Sequence, residues 1–83
     1  MRTEREVMDR IYELEEMMKI AITRYYRKQD SEEMFAKVYS DVWSEMKTLH
    51  WILGKSSIEA TTCVALKVMR MSDEVRDMIK NQQ

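Results

Sequence analysis

Apolar residues recur along this chain at steps of four and three residues, which is the spacing of one helix face and not of a strand. The pattern is clearest in the middle of the chain, where it runs through Phe35, Tyr39, Val42, Met46, Leu49 and Leu53. It occurs again near the N-terminus, at Val7, Ile11, Leu14, Met18, Ala21 and Tyr25. Both stretches predict amphipathic helices, and their repeat of about 3.5 residues favours coiled-coil packing.

A third stretch carries the same pattern in a weaker form. Its apolar face is predicted at Ile58, Thr61, Ala65, Val68, Ser72, Val75 and Ile79. Thr61 and Ser72 interrupt this face with hydroxyl groups. We nevertheless expect it to be the core side of a third helix.

Three capping signals mark where the helices start. Each is a Thr, Asp or Ser followed three residues later by a glutamate: Thr3 with Glu6, Asp30 with Glu33, and Ser56 with Glu59. Gly54, the only glycine, suits the left-handed position that ends a helix. These signals predict helices at about 4–28, 31–53 and 57–80. Because both turns are short, the prediction is an all-α fold, an antiparallel three-helix bundle with heptad seams in one domain over residues 1–83.

Large apolar residues also occur at positions that should face water in such a bundle. There are seven of them: Tyr12, Ile20, Tyr26, Met34, Trp51, Cys63 and Leu66. Scattered exposed apolar residues are normal, but this number in a small chain indicates a contact surface. The hypothesis that follows is self-association, as a homodimer in which a second copy adds to the buried core. Helices rotated relative to the predicted faces would bury several of the seven instead.

Composition limits the possible environments and partners. The formal net charge of −1 gives no overall attraction to nucleic acid or to acidic membranes. No apolar run approaches the twenty residues of a membrane helix, and the N-terminal stretch lacks the apolar core of a signal peptide. The single cysteine, Cys63, cannot form an internal disulfide. These observations favour a cytoplasmic protein.

The sequence contains no recognisable catalytic, metal or cofactor motif. His50, the only histidine, has no carboxylate or histidine three or four residues away, which is the spacing of a helical metal site. Cys63 lies among Thr62, Val64 and Ala65, so the interpretation is a small buried apolar residue. Glu74 and Asp77 have a spacing used by helical magnesium enzymes, but the matching second acidic helix is missing. We therefore expect neither enzyme activity nor a cofactor.

One basic cluster contains aromatic residues: Arg24, Tyr25, Tyr26, Arg27 and Lys28. Cations beside aromatic rings are a common way to hold single-stranded nucleic acid, and Arg2, Arg5 and Arg10 could add to them. Binding through Arg24, Tyr26, Arg27 and Lys28 is thus the alternative function. The simpler interpretation is a helix end whose cations complement the helix dipole.

Both tryptophans lie on the central helix at positions 43 and 51, with a lysine midway between them. Trp43, Lys47 and Trp51 are four residues apart, so they form one ridge beside the Phe35–Leu53 face. The Lys47 ammonium could lie between the two indole rings as a cation–π contact. Either the ridge packs against the third helix, or Trp51 remains accessible and anchors a partner protein.

Two segments carry a resemblance to other proteins. The opening MRTEREVMDRIYELEE and the segment Met46–Gly54 resemble small uncharacterised proteins of prokaryotes and their viruses, which open with a charged coil-forming helix and close on L-x-W-[IV]-L-G. The resemblance implies a helical hairpin that ends at Gly54, and it implies no activity. The leading functional hypothesis is a non-enzymatic protein–protein interaction module, such as an assembly unit, an adaptor or an inhibitor of viral or mobile-element origin.

Overall fold

The computed structural model describes residues 3–82, and Met1, Arg2 and Gln83 lie outside the described part. It contains three helices: α1 (Glu4–Tyr26), α2 (Glu32–Ile52) and α3 (Ser57–Gln82). Every helix contacts the other two, so the predicted all-α three-helix bundle is confirmed. The helix ends lie within two residues of the predicted ones.

Contacts between helices give the direction of each. Arg10 of α1 meets Glu45 of α2, whereas Tyr25, later in α1, meets Phe35, earlier in α2. These two helices are therefore antiparallel. The order along α1 and α3 is instead the same, because Glu15 meets Lys67 and Arg27 meets Gln82. The chain runs up, down and up again along a body 45 Å long.

The core lies along the middle of the bundle and draws on all three helices. Its buried members are Val7, Ile11, Leu14, Met18 and Ile22 of α1, Val42, Met46 and Leu49 of α2, and Val64, Val68 and Val75 of α3. On α1 and α2 these residues follow the predicted faces closely. Phe35, Tyr39 and Leu53 are only half-buried and pack against the outside of the core.

The predicted core face of α3 is wrong in its first half. Ile58 was expected inside but is 80% exposed, while Ala60 and Val64 are fully buried. Thr61, Ala65 and Ser72 are half-buried at the edge of the core. Two apolar patterns overlap in this helix and share Val68, Val75 and Ile79. The larger side chain of Ile58 favours one of these patterns in the sequence, but the pattern that contains the small Ala60 is the one buried in the structure.

The predicted cap of α2 is also wrong, because Asp30 is already engaged. Its carboxylate accepts two hydrogen bonds from the Arg24 guanidinium, at 2.9 and 3.0 Å. These bonds hold the pKa of Asp30 below its ordinary value. The cap is the next residue, Ser31, whose hydroxyl accepts from the Met34 N–H at 3.1 Å. The other two predicted caps form, since Thr3 accepts from the Glu6 N–H and Ser56 from the Glu59 N–H.

Helices α1 and α2 end in the same backbone motif. After α1, the Lys28 N–H donates to Tyr25 and the Gln29 N–H donates to Arg24. After α2, the Gly54 N–H and the Lys55 N–H form the same two bonds, to Trp51 and His50. The motif requires a left-handed residue at its centre, which is Lys28 at φ +58° and Gly54 at φ +99°.

This repetition predicts stability changes of opposite sign at the two positions. Lys28→Gly should raise the free energy of unfolding by about 1 kcal/mol, because an L-residue is strained in the left-handed region and glycine is not. Gly54→Ala should lower it by about the same amount. A Cβ built on Gly54 meets no atom within 4 Å, so the loss would come from the backbone alone. Urea denaturation of both variants checks this, and changes of the same sign would contradict it.

Candidate functional site

The Trp43–Lys47–Trp51 ridge lines an open groove of about 490 Å³ on one side of α2. We call this the tryptophan groove. Its remaining lining residues are Ser44, Thr48 and Ser57, the last of which is the first residue of α3. The predicted site residues are therefore together at a surface where α2 meets the start of α3.

The two tryptophans have different environments. Trp43 is half-buried and packs against the core, so it fixes its end of the groove. Trp51 is 62% exposed and contributes most of its indole surface to solvent. Lys47 lies between them and is half-buried. The aromatic contacts found in residues 3–82 are all at the other end of α2, and Lys47 forms no cation–π contact with either indole.

The tryptophan groove is lined by two indoles, one ammonium group and three hydroxyl groups. Its lining residues include no histidine, cysteine or carboxylate, so no general acid or base other than Lys47 is present. The Thr48 hydroxyl donates to the Ser44 carbonyl within α2, at 3.0 Å. What the groove offers a ligand is an indole face, one ammonium group and a few hydroxyl oxygens.

The basic-aromatic cluster is less available than its sequence suggests. Arg24 is held by Asp30, which also keeps the pKa of this guanidinium above its ordinary value. Arg27 donates to the Gln82 side chain at 2.7 Å. Tyr25 is stacked on Phe35, with ring centroids 4.4 Å apart.

Carboxylates surround the rest of this cluster. The groove that contains Tyr26 and Lys28 is also lined by Asp30 and Glu32, which would repel phosphate. Among the more distant arginines, Arg10 is bound to Glu45 and Glu13, and Arg2 lies outside the described residues. Among the described cations, Arg10, Arg24 and Arg27 are thus each engaged by another side chain.

A polar cluster that the sequence did not indicate lies at the end of the bundle where α2 turns into α3. His50 is only 3% exposed, which makes it the one buried polar residue in the described chain. Its Nε2 lies 3.8 Å from Sγ of Cys63. Cys63 is half-buried, whereas its neighbours in the sequence predict a buried side chain. Residues on either side of a short antiparallel turn approach each other, and that rule applied to the α2–α3 turn would have placed these two together.

Burial and two nearby lysines act on the protonation of His50. The Lys55 ammonium lies 3.3 Å from Nδ1, and because it can only donate, Nδ1 accepts and the ring proton is on Nε2. Burial lowers the pKa of His50, and the nearby charges of Lys67 and Lys55 lower it further. Glu15 opposes this effect from α1, but it is in turn paired with Lys67 at 2.6 Å. The imidazole is therefore neutral at pH 7.

Two further features of the described residues bear on function. No group of three or more histidine, cysteine or acidic residues within 3–82 is arranged to hold a metal ion. In the same range, none of the helices has both the length and the apolar character that crossing a membrane would require.

Comparison with known proteins gives no relative: no family model, no curated protein and no solved structure matches this chain.

The environment of His50 predicts a pH dependence of stability. Its folded pKa is depressed, so the unfolded chain binds the proton more readily, and stability is lost as the pH falls below about 6.5. The loss for one group is at most about 1.4 kcal/mol per pH unit. Because His50 is the only histidine, the His50→Gln variant should lose markedly less stability between pH 7 and pH 5. Urea titrations at several pH values measure this, and parallel curves for both proteins would refute it.

Proposed function

We propose that this protein is a non-enzymatic protein–protein interaction module whose partner binds in the tryptophan groove. The observation that carries the proposal is the 62% exposure of Trp51 beside a tryptophan that the core holds in place. An indole that remains in water adds little hydrophobic stabilisation to the folded monomer. Tryptophan is also the residue type that contributes most often to the binding energy of protein interfaces.

The groove indicates the chemistry of the partner. Trp51 offers an apolar surface, and Lys47 is the only charged residue that lines the groove. The complementary partner surface therefore presents an apolar side chain with a carboxylate close to it. A protein of this kind acts as an assembly unit, an adaptor or an inhibitor, and the single cysteine suits a reducing cytoplasm.

The arrangement of the groove also favours binding without large rearrangement. Trp43, Lys47 and Trp51 are on one rigid helix, and Trp43 anchors that helix to the core. Side chains on a rigid helix keep their spacing when a partner binds, which lowers the ordering cost of association.

Nucleic-acid binding through Arg24, Tyr26, Arg27 and Lys28 is the alternative, and the geometry supports it less. Two of its cations are held by Asp30 and Gln82. The salt dependence of binding separates the two proposals. Affinity for a phosphate backbone falls steeply with added salt, whereas an interface built on Trp51 would change little.

The proposal predicts different effects of alanine at the two tryptophans. Trp51→Ala should change the free energy of unfolding by less than about 0.5 kcal/mol, because the side chain is exposed. Trp43→Ala should lower it by about 2 kcal/mol, since a half-buried indole is removed from the edge of the core. Chemical denaturation of both variants checks this part, and a large loss for Trp51→Ala would show that its role is structural.

The same variants test binding. A partner captured from cells of the source with the wild-type protein should be lost with Trp51→Ala, by about 2 kcal/mol or roughly thirtyfold in affinity. Ile52→Ala is the matched control, because Ile52 is the next residue, is 55% exposed and does not line the groove. Lys47→Glu should weaken binding of a partner that presents a carboxylate. Equal binding by the Trp51 and Ile52 variants would overturn the proposal.

A further inference from the structure

A second apolar surface lies on the side of α3 that faces away from the core. Ile58, Thr62, Leu66 and Met69 follow one another at steps of four, four and three residues, which places them on one helix face. Ile58 is 80%, Leu66 58% and Met69 63% exposed, and Thr62 is also exposed. We call this row the outer face of α3. It is separate from the tryptophan groove, because none of its residues lines that groove.

Charged residues of opposite sign flank the outer face. Glu59 and Arg70 are both exposed, and they are eleven residues apart. Eleven residues are three helical turns, so both side chains lie on the same flank of α3. Glu59 accepts one weak hydrogen bond from the Ser56 N–H at 3.4 Å. Arg70 lines a groove that also contains three carboxylates, but it forms no ion pair within residues 3–82.

The positions of these residues define a two-fold arrangement. Antiparallel helices place the same flank of each side by side. Two copies of α3 packed in this way are related by a two-fold axis. When that axis passes between residues 64 and 65, Glu59 of each copy lies beside Arg70 of the other. The apolar row from Ile58 to Met69 is centred between residues 63 and 64. The charges and the apolar row thus indicate nearly the same axis.

We propose that the outer face of α3 binds a second copy of this chain, with the two α3 helices antiparallel. Leu66 lies next to the axis and is the centre of the contact. The row on each copy covers the row on the other, and the Glu59–Arg70 pair forms twice, once on each side of the axis. Parallel packing would place neither charge beside its opposite, so the charge pattern selects the antiparallel arrangement.

The contact is small, so the fraction of the chain that is dimeric depends on protein concentration. One helix face buries less surface than the roughly 1,200 Å² of a stable specific interface, so the dimer belongs to the weak class. Its dissociation constant is therefore expected in the micromolar range. Association needs no other protein, and no residue of the outer face lines the tryptophan groove.

Sedimentation equilibrium of the purified chain from low to high micromolar concentration tests the proposal. The wild type should approach twice the chain mass, and Leu66→Asp should raise the dissociation constant by about thirtyfold or more. Ile20→Asp is the matched control, because Ile20 of α1 has the same 58% exposure. It should dimerise as the wild type does, and so should Trp51→Ala. Circular dichroism verifies that each variant is folded.

Charge reversal tests the orientation of the two helices. Arg70→Glu should weaken the dimer by about tenfold, and combining it with Glu59→Arg should restore the wild-type constant. Because Glu59 also supports the cap of α3, the melting temperature of the double variant is measured alongside its mass. A monomeric wild type, equal effects of Leu66→Asp and Ile20→Asp, or a folded double variant without restored dimerisation would each overturn the proposal. The assay uses this chain alone, so its failure leaves the partner site on α2 unaffected.

Discussion

Each helix of this bundle depends on the other two, because none has enough favourable interactions of its own. Most of the stability of a helix in a protein comes from burying its apolar face against other elements and not from its intrinsic helix propensity. Here Ile11, Met46 and Val64, one from each helix, are all fully buried in the shared core. The need to bury these faces together fixes the rotation of every helix. It therefore also decides that Trp51 and Leu66 remain outside.

The sequence was most informative where a helix carries a single apolar pattern. On α1 and α2 most of the buried residues belong to the predicted faces, although Phe35, Tyr39 and Leu53 are only half-buried. On α3 the faces containing Ile58 and Ala60 both have helical spacing, and which one is buried depends on the fit against the other helices. The cap of α2 failed for a comparable reason, because Asp30 binds Arg24, six residues earlier in the chain, and local sequence rules do not include that competition.

For the candidate sites too, residue spacing predicts which side chains share a helix face, whereas their burial depends on tertiary packing. The spacing of Trp43, Lys47 and Trp51 predicted one ridge, and the groove contains all three. That Trp43 is held by the core while Trp51 is exposed depends on the rotation of α2, which the ridge pattern does not give. Local sequence relates His50 and Cys63 only to neighbours on their own helices. Their proximity comes from the α2–α3 turn, across thirteen residues of sequence.

The odd number of helices determines where the two ends of the described chain lie. A two-helix hairpin returns the chain to the side where it started, whereas α3 carries it back across the bundle. Thr3 and Gln82 consequently lie at opposite ends of a body 45 Å long. A domain or a label joined to each end would be separated by the long axis and not held side by side. Tension applied between these two ends would load the contacts of α1 with α3 in shear.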